Sequence, residues 1–350
     1  MYDIIFIGGG PAGLSAALSA SRLGLDYVTL ERGVIADTIY RFPIARTLFS
    51  TADELELESG DFAPKHKPTR EQLLSHYVST VCNNRLNVLT GAEVLNIDKS
   101  GGAFKVTTTT GVYSGRTVLY AAGGFGKQRK LEVPGEDDSR VSYRFSEAHP
   151  YALKHILIVG GGNSAAEAAI WLAEVGAQVT LALRRGALDL SSSDKERSAD
   201  RVQIKPWVRQ PLDLAIKRGQ VRLLTCAKVT RIGRQSASVL LQSETAGLAL
   251  TVEDVRCDHI FALIGADPDT TLLEKAGAGI ASDGRPLYNP DTNETTVAGL
   301  YVAGHITREK HIKNAITAGR RVVESIGAQI LADARPDREQ FQMAGLLDRG

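Results

Sequence analysis

The chain has 350 residues, 43% of them hydrophobic and 23% charged, which is ordinary for a globular protein long enough to form two domains. Its formal net charge of +1 gives no electrostatic case for nucleic acid or an anionic membrane as a general partner. No apolar run approaches the ~18 residues that span a bilayer. Three scattered cysteines without a CxxC, and seven histidines without ligand spacing, predict neither a disulfide framework nor a metal site.

The chain opens with a strand, a glycine-rich turn, a helix and a second strand, read as "DIIFIG", "GPAGLSAALSASRLG" and "YVTLER". Gly8, Gly10 and Gly13 form G-x-G-x-x-G, in which the glycines permit a tight turn, approach of the backbone to a pyrophosphate, and close helix packing. Glu31 ends the second strand about 20 residues later, where an acid bonds ribose hydroxyls. The pattern predicts a dinucleotide site, and Pro11 between the glycines is more typical of FAD than of NAD.

Residues 34–70 carry few periodic signals and predict an ordered loop region. Its aromatics Tyr40, Phe42 and Phe49 could stack on a ring, although aromatics in loops more often belong to the core. A helix, "TREQLLSHYVSTVCNN", is predicted to begin after the N-cap Thr69. Strands are predicted next in "LNVLTGAEVLNIDK", "AFKVTTTT" and "GVYSGRTVLYAAGG".

The polar segment "KQRKLEVPGEDD" predicts a hinge, after which strand, glycine turn and helix repeat in "ILIVGG" and "NSAAEAAIWLAEVG". Gly160, Gly162 and Ala165 give G-x-G-x-x-A, but the following strand ends in "LALRRG" without an acid. Arginine pairs bidentately with a 2′-phosphate that an acid would repel, so Arg184 and Arg185 favour NADPH over NADH. The alternative is a solvated arginine pair on a loop.

The chain then returns through "HIFALIGADPDT" and "GLYVAGHI" to a last helix, "KNAITAGRRVVESIGAQILADA". Strand ends of small residues, in "YAAGG" and "GLYVAGHI", let a backbone pass close to a long cofactor and support FAD in the first site. The predicted fold is therefore α/β, with two Rossmann-like dinucleotide-binding domains. The predicted ranges are an FAD domain at 1–124 and 263–332, an inserted NADPH domain at 125–262, and a C-terminal tail at 333–350.

This order of segments resembles the low-molecular-weight thioredoxin-reductase superfamily, carried by "GGGNSAAEAA" with "RR" and by "ALIGADPDT". Within it, "DTIYRFPIARTLFSTADELEL", "FSEAHPY" and "IKPW" resemble the bacillithiol-disulfide (bacilliredoxin) reductase, YpdA-like, subgroup over roughly residues 1–332. The resemblance implies FAD and NADPH as cofactors and a homodimer. It also implies a domain rotation about hinges near residues 125 and 262.

Three departures from the family pattern stand in the sequence. Thioredoxin reductases carry CxxC just before the second glycine turn, where this chain has "VSYRFSEAHPYALKH". The bacillithiol-type enzymes are proposed to use a cysteine inside the first fingerprint, where this chain has Ala12. Many relatives have an acid where His305 stands, which could bond the cofactor or carry a proton near the flavin.

The motifs and the resemblance together give two sets of expected contacts. For FAD they are Gly8, Gly10, Pro11, Ala12, Gly13, Glu31, Arg32, Tyr40, Ser50, Val94, Ala122, Gly123, Gly304, His305, Ala315 and Ile316. For NADPH they are Gly160, Gly162, Asn163, Ser164, Ala165, Glu167, Arg184 and Arg185.

The expected function is an FAD-dependent NADPH oxidoreductase that passes electrons to a disulfide or another acceptor, either a small molecule or a small redox protein. One alternative is a ferredoxin- or flavodoxin-NADP reductase, which predicts a basic docking patch. Another is a flavin-binding sensor or interaction protein without turnover, or with a second FAD in the second site. With Asp3 and no basic region at the N-terminus, a secretory signal is not expected, so the predicted location is the cytoplasm.

Overall fold

The computed structural model describes residues 1–58, 60–184, 186, 204–242, 250–309 and 311–333. The strands, numbered in chain order, are β1 Tyr2–Ile7, β2 Tyr27–Glu31, β3 Val88–Thr90, β4 Val94–Ser100, β5 Ala103–Thr108, β6 Val112–Tyr120, β7 Lys127–Gln128, β8 Val141–Ser142, β9 His155–Val159, β10 Gln178–Ala182, β11 Val221–Leu224, β12 Ala227–Ile232, β13 Ser236–Gln242, β14 Leu250–Arg256, β15 His259–Ala262, β16 Ala266–Asp267 and β17 Leu300–Val302. The helices are α1 Pro11–Arg22, α2 Asp37–Tyr40, α3 Ala52–Leu55, α4 Arg70–Asn83, α5 Asn163–Glu174, α6 Pro206–Lys217, α7 Thr271–Lys275 and α8 Ile312–Asp333.

The chain forms two compact units. The first consists of Met1–Lys127 and Asp267–Gly350, and the second of Gln128–Ala266. The assignment of FAD to the first unit and NADPH to the second stays a prediction. The C-terminal tail at 333–350 also stays a prediction, because it lies almost wholly outside the described residues.

A seven-stranded sheet forms the centre of the first unit, in the order β3-β2-β1-β6-β5-β4, with β17 paired to the end of β6. Strands β3, β2, β1, β6 and β17 run parallel, so the carboxyl ends of β1, β2, β6 and β17 lie at one edge. Helices α1 and α8 pack on one face of this sheet, and Ile4, Ile5 and Phe6 of β1 are fully buried. Burial on both faces explains why β1 reads as a continuous apolar run.

The second unit repeats this arrangement on a smaller scale. Its five-stranded sheet has the order β11-β10-β9-β15-β8, and all four pairings are parallel. A three-stranded antiparallel sheet, β12-β13-β14, contributes to the same buried core as Leu157 of β9 and Ile260 of β15. The predicted α/β class with two Rossmann-like units is confirmed.

The elements expected from the sequence are observed with small shifts of their ends. Helix α4 begins directly after Thr69, whose hydroxyl accepts a hydrogen bond from the Gln72 N–H. The loop region predicted at 34–70 also contains two single-turn helices, α2 and α3. Helix α3 is fixed by a capping box between Thr51 and Glu54, a local signal too short for periodicity to reveal.

Candidate functional site

The first glycine turn has the backbone geometry of a dinucleotide site. Gly8 has a φ of 111°, and a Cβ there would lie 2.5 Å from the carbonyl oxygen of Ala121. A Cβ on Gly13 would lie 1.9 Å from the Gly8 carbonyl oxygen, so α1 packs this closely only because the residue is glycine. A Cβ on Gly10 would meet no atom within 4 Å. The turn is therefore closed toward the protein and open at Gly10.

The N-terminus of α1 is suited to bind an anion. Gly10 is its N-cap, Pro11 occupies its first turn, and no side chain caps it. The first N–H groups of a helix have no partner within the helix, and the helix dipole adds partial positive charge there. Pro11 and Ala12 therefore lie at a helix N-terminus suited to a phosphate group. Their contact with FAD stays a prediction.

Glu31 is held beside this turn at the end of β2. It is 7% exposed, and its Oε2 and Oε1 accept hydrogen bonds from the N–H groups of Gly9 at 2.6 Å and Gly33 at 2.8 Å. Burial raises the pKa of Glu31, while the hydrogen bonds from Gly33 and Gly9 lower it. Each carboxylate oxygen keeps a second lone pair for a ribose hydroxyl. The next residue, Arg32, is exposed.

Two further strand ends reach the same edge of the sheet. A Cβ on Gly124, in the loop after β6, would lie 2.6 Å from the His305 carbonyl oxygen, so this loop contacts the turn after β17. A Cβ on Gly304 would lie 2.9 Å from the Ala12 Cβ, which joins that turn to the first glycine turn. Gly123 has a φ of 81° with open space beside it. The predicted FAD residues at this edge are Ala122, Gly123, Gly304 and His305.

An arginine that the sequence analysis missed holds the turn after β17. Arg285 Nη1 donates hydrogen bonds to the carbonyl oxygens of His305 at 3.1 Å and Ile306 at 3.2 Å, and to that of Thr307. The half-buried His305 ring meets Phe125 edge-on, with centroids 4.7 Å apart. Arg285 stands in a polar turn, 20 residues before His305, and no motif around it indicates this role.

Helix α8 packs against the first glycine turn. A Cβ on Gly319 would lie 2.1 Å from the Ala12 carbonyl oxygen. The Ser15 hydroxyl donates a 2.8 Å hydrogen bond to the carbonyl oxygen of Ile316. Ala315 and Ile316 are 8% and 5% exposed. Both predicted FAD residues of α8 thus lie close to the N-terminus of α1.

The remaining predicted FAD residues lie on the loop around α2 and α3 and on β4. The exposed Tyr40 ring lies against the Arg70 guanidinium, whose carbon is 5.3 Å from the ring centroid. Ser50 is partly exposed just before α3, and Val94 packs against the core on the β5 side of the sheet. Contacts of these three residues with FAD stay predictions.

The second glycine turn has the same design as the first. Gly160 has a φ of 149°, and a Cβ there would lie 2.4 Å from the Leu263 carbonyl oxygen. Gly162 is the N-cap of α5, again without a side-chain cap. Ala165, in the place of Gly13, is fully buried. The turn therefore offers a second free helix N-terminus for a pyrophosphate.

The two units differ at the end of the second strand. By strand register, Leu183 takes the place of Glu31, and Arg184 takes the place of Arg32. Leu183 is 1% exposed and offers no ribose acceptor, whereas Arg184 is exposed. Arg185 lies outside the described residues. The sequence alone showed that the acid is absent from this strand end. The strand registers show that Leu183 stands in its place.

The first turn of α5 contacts the start of α6. Asn163 Oδ1 accepts a 2.8 Å hydrogen bond from the N–H of Lys205, the N-cap of α6. Ser164 is exposed, and Glu167 is 8% exposed. Trp207, from the "IKPW" segment, is 52% exposed on α6. Asn163, Ser164 and Glu167 thus lie in the first two turns of α5, directly after the second glycine turn. Their contacts with NADPH stay predictions.

The segment that precedes this turn contains packed aromatics instead of a dithiol. Phe145 is 6% exposed and lies 5.2 Å from Phe261 and 5.9 Å from Trp171, measured between ring centroids. The Tyr143 hydroxyl donates a 3.0 Å hydrogen bond to Glu136. The segment in which the thioredoxin-reductase resemblance places a CxxC is therefore held here by aromatic and hydrogen-bond contacts.

The three cysteines stand outside both glycine turns. Cys82 is exposed on α4, Cys226 is intermediate, and Cys257 is buried between β14 and β15. Burial raises the pKa of Cys257 to about 11, which leaves an unreactive thiol. Within the described ranges, no cluster of histidine, cysteine or acidic residues could hold a metal ion. No helix there is long and apolar enough to cross a membrane.

A parallel sheet with a glycine turn against an uncapped helix in each of two units defines a dinucleotide-binding protein of the flavin- and nicotinamide-dependent class. The sequence pattern of the pyridine nucleotide-disulphide oxidoreductases matches residues 5–304, so the chain belongs to that family. Membership implies flavin and nicotinamide cofactors.

Individual relatives indicate which subgroup of the family this chain resembles. Bacilliredoxin reductase Bdr of Bacillus subtilis is 33% identical over 305 residues, covering 86% of this chain and 89% of that protein. The structure of bacillithiol disulfide reductase Bdr (YpdA) from Staphylococcus aureus matches with a TM-score of 0.84 and 33% identity, covering 94% and 98% of the two chains. Thioredoxin reductase of Treponema pallidum is 27% identical over 333 residues, covering 91% and 92%. The resemblance to thioredoxin-reductase-like proteins of the bacillithiol-disulfide reductase subgroup is confirmed.

Proposed function

We propose that this chain is an FAD-dependent NADPH oxidoreductase that reduces a small disulfide or a comparable acceptor. The observation that carries the proposal is the pair of equivalent glycine turns with opposite chemistry at the strand end. The first has the buried carboxylate of Glu31, and the second has Leu183 followed by Arg184. The two turns are alike where the phosphates would bind and differ where the ribose would bind. This difference favours two different dinucleotides.

The first unit would bind FAD through residues whose geometry fits it. The open side of Gly10 and the uncapped N-terminus of α1 leave room for a pyrophosphate. Glu31, fixed by two backbone N–H groups, would accept hydrogen bonds from ribose. When bound, FAD supplies a two-electron carrier between NADPH and the acceptor.

The second unit would bind NADPH in the same way at its phosphates and differently at its ribose. The uncapped N-terminus of α5 would receive the pyrophosphate. Leu183 removes the acid that repels a 2′-phosphate, and Arg184 supplies a guanidinium that pairs with it. The protein should therefore prefer NADPH to NADH.

The chain provides no thiol at either position that its family uses for disulfide exchange. Ala12 occupies the first, packed aromatics occupy the second, and the buried Cys257 is unreactive. We infer that electrons leave the cofactor directly for the acceptor. The names of the relatives point to bacillithiol disulfide as the first acceptor to test.

Anaerobic stopped-flow mixing of the purified flavoprotein with NADPH and with NADH tests the proposal. Rapid bleaching of the flavin by NADPH, and much slower bleaching by NADH, is the expected result. Absence of bleaching by either nucleotide would contradict the reductase and favour a flavin-binding sensor. Two flavins released per chain would show that the second site holds FAD.

An acceptor series then identifies the onward step. Bacillithiol disulfide, a ferredoxin and a quinone are each added to the NADPH-reduced protein, and reoxidation of the flavin is followed. Fast reoxidation by the disulfide supports the proposed function. Fast reoxidation by ferredoxin alone would instead assign the protein to the ferredoxin-NADP reductase type.

A further inference from the structure

A cavity of about 710 Å³ lies in the first unit, outside the residues assigned to the cofactors. Its volume falls in the range of about 300–1,000 Å³ that is typical of small-molecule sites. Its lining contains basic, hydroxyl and amide side chains and no acid. The lining residues are Thr47, Lys65, His66, Lys67, Thr69 and Gln72.

Two basic side chains of this lining, Lys65 and His66, have donors left for a ligand. Within the part of the chain that the structure describes, neither the Lys65 ammonium nor the His66 ring makes a hydrogen bond or an ion pair. Lys67 Nζ donates a 2.7 Å hydrogen bond to the Phe49 carbonyl oxygen and adds its positive charge to the lining. The cavity therefore combines positive charge with unused donors.

The N-terminus of α4 also borders the cavity, but its own capping residues already satisfy it. The Thr69 N–H donates a 3.0 Å hydrogen bond to Gln72 Oε1, and the Gln72 N–H donates to Thr69 Oγ1 at 3.4 Å. Recognition of a ligand would therefore depend on the side chains of Lys65, His66 and Lys67.

The cavity borders the segment that we expect to contact the flavin. Thr47 pairs with Thr69 in an isolated bridge, and the Phe49 carbonyl bound by Lys67 directly precedes Ser50. A molecule in this cavity would therefore lie next to the proposed redox site of the same unit.

We propose that this cavity binds an oxyanion, a carboxylate or a phosphate, carried by the small electron acceptor. The inference rests on the proposed function for the identity of the ligand as an acceptor. The preference for an anion rests only on the charge and the unused donors of the lining. The volume favours a small molecule over the side chain of a docked protein.

The first experiment measures binding without turnover. The oxidised, FAD-loaded protein is titrated calorimetrically with citrate and with inorganic phosphate, as wild type and as the double variant Lys65→Gln with His66→Gln. We expect the double variant to bind about tenfold more weakly, the equivalent of about 1.4 kcal/mol. Whichever of citrate and phosphate binds more tightly identifies the oxyanion.

Lys105→Gln is the matched control, because it removes an equally exposed lysine from β5 of the same unit. It should bind both anions as the wild type does. Failure of the wild type to bind either anion, or equal binding by the double variant, would overturn the proposal.

The second experiment compares two aromatic disulfides under NADPH-dependent turnover. In the double variant, the KM for the dianionic 5,5′-dithiobis(2-nitrobenzoate) should rise about tenfold, while the KM for the neutral 4,4′-dithiodipyridine stays unchanged. Equal changes for both disulfides would overturn the proposal. If the wild type reduces neither disulfide, the proposed disulfide reduction fails, and the titration still decides whether the cavity binds anions.

Discussion

At the scale of single residues, the glycines of the first turn have separable tasks. Gly8 and Gly13 are required by the backbone itself, because a Cβ on either would overlap a carbonyl group. Gly10 is not, because a Cβ there meets nothing within 4 Å and its φ of −85° suits alanine. The backbone therefore does not require glycine at position 10, whereas a pyrophosphate bound on this open side would.

We expect Gly10→Ala to fold normally and to bind FAD weakly. Its free energy of unfolding should stay within about 1 kcal/mol of the wild type, since alanine is only a poorer N-cap than glycine. The added methyl group would occupy the open side of the turn and lower the flavin content of the purified protein. Gly111→Ala, where the Cβ meets only an ordinary 3.8 Å contact, is the control. Full flavin content in Gly10→Ala would contradict the assignment.

Ala12 permits a test of how electrons leave the protein. It is 4% exposed at the start of α1, where the bacillithiol-type enzymes are proposed to carry a cysteine. A thiolate attacks disulfides directly, so Ala12→Cys should raise kcat for disulfide reduction and leave quinone reduction unchanged. Ala16→Cys places the same thiol one turn further into the buried side of α1 and should have no such effect. Equal disulfide rates in Ala12→Cys and the wild type would show that a thiol here adds nothing.

At the scale of elements, the strands, helices and both glycine turns were predictable because each depends on local sequence. An apolar run before glycines and a small-residue helix after them can form little else than a βαβ unit. The hydrogen bonds from Arg285 to the turn after β17 were not predictable, because they join residues 20 or more positions apart and no motif marks them. The packing of Phe145 likewise depends on Phe261 and Trp171, which only the fold brings together.

The contact between α1 and α8 is a close helix crossing that depends on one glycine. A Cβ on Gly319 would lie 2.1 Å from the Ala12 carbonyl oxygen, which is backbone and cannot move away independently. Gly319→Ala should therefore destabilise the protein by about 1–3 kcal/mol or more and should reduce flavin binding, because α1 presents the phosphate site. Urea unfolding followed by circular dichroism, with flavin content measured in parallel, checks both effects.

Gly327→Ala provides the control within the same helix. Its Cβ would lie 2.9 Å from Leu23 Cδ1, the far end of a side chain that can rotate. Both substitutions gain the same helix propensity, so the difference between them isolates the crossing. Equal stability of the two variants would show that α8 can shift without cost.

Helix α4 holds the preceding loop through a buried histidine. His76 is 7% exposed, is stacked on Phe62 at 4.6 Å, and accepts a 3.4 Å hydrogen bond from the Leu57 N–H through Nε2. Burial lowers the pKa of His76, and the negative charges of Glu56 and Asp61 offset this only in part, so that the net change is a lower pKa. The unfolded chain therefore binds this proton more readily than the folded one.

Stability should consequently fall as the pH drops below about 6.5, the ordinary pKa of histidine. His76→Gln removes this contribution, so the wild type should lose more stability than the variant between neutral and mildly acidic pH. Thermal unfolding across that range measures the difference, with His149→Gln as an exposed control. Parallel pH profiles for wild type and His76→Gln would show that His76 does not titrate differently in the folded state.

At the scale of the whole molecule, the chain uses one phosphate-binding design twice and distinguishes the two sites by a few side chains. The glycine turns and helix N-termini are equivalent, so they cannot select between cofactors. We therefore expect selection to depend on the strand end, with Glu31 in the first unit and Leu183 with Arg184 in the second. The role of Arg184 and Arg185 stays a prediction from the sequence. The alignment of Leu183 with Glu31 was not predicted, because it requires the register of β10 against β9.

Arg184→Glu should therefore lower the affinity for NADP⁺ by about 10- to 100-fold, as expected for loss of a charge-assisted hydrogen bond. The affinity for NAD⁺ should change little, because NAD⁺ lacks the 2′-phosphate. Titration with the oxidised nucleotides leaves the flavin oxidised and measures binding alone. Arg218→Glu makes the same charge change at an exposed site after α6 and should leave both affinities intact.

The comparison of these two variants decides how selectivity is built. Loss of NADP⁺ binding in Arg184→Glu alone would mean that a single guanidinium at the strand end recognises the 2′-phosphate. Equal losses in both variants would mean that the positive potential of the whole second unit attracts the nucleotide, since a distributed charge does not distinguish the two positions. In that case the buried Leu183, by excluding an acid, would be the residue that makes NADPH acceptable, and Leu183→Glu should then reverse the preference toward NADH.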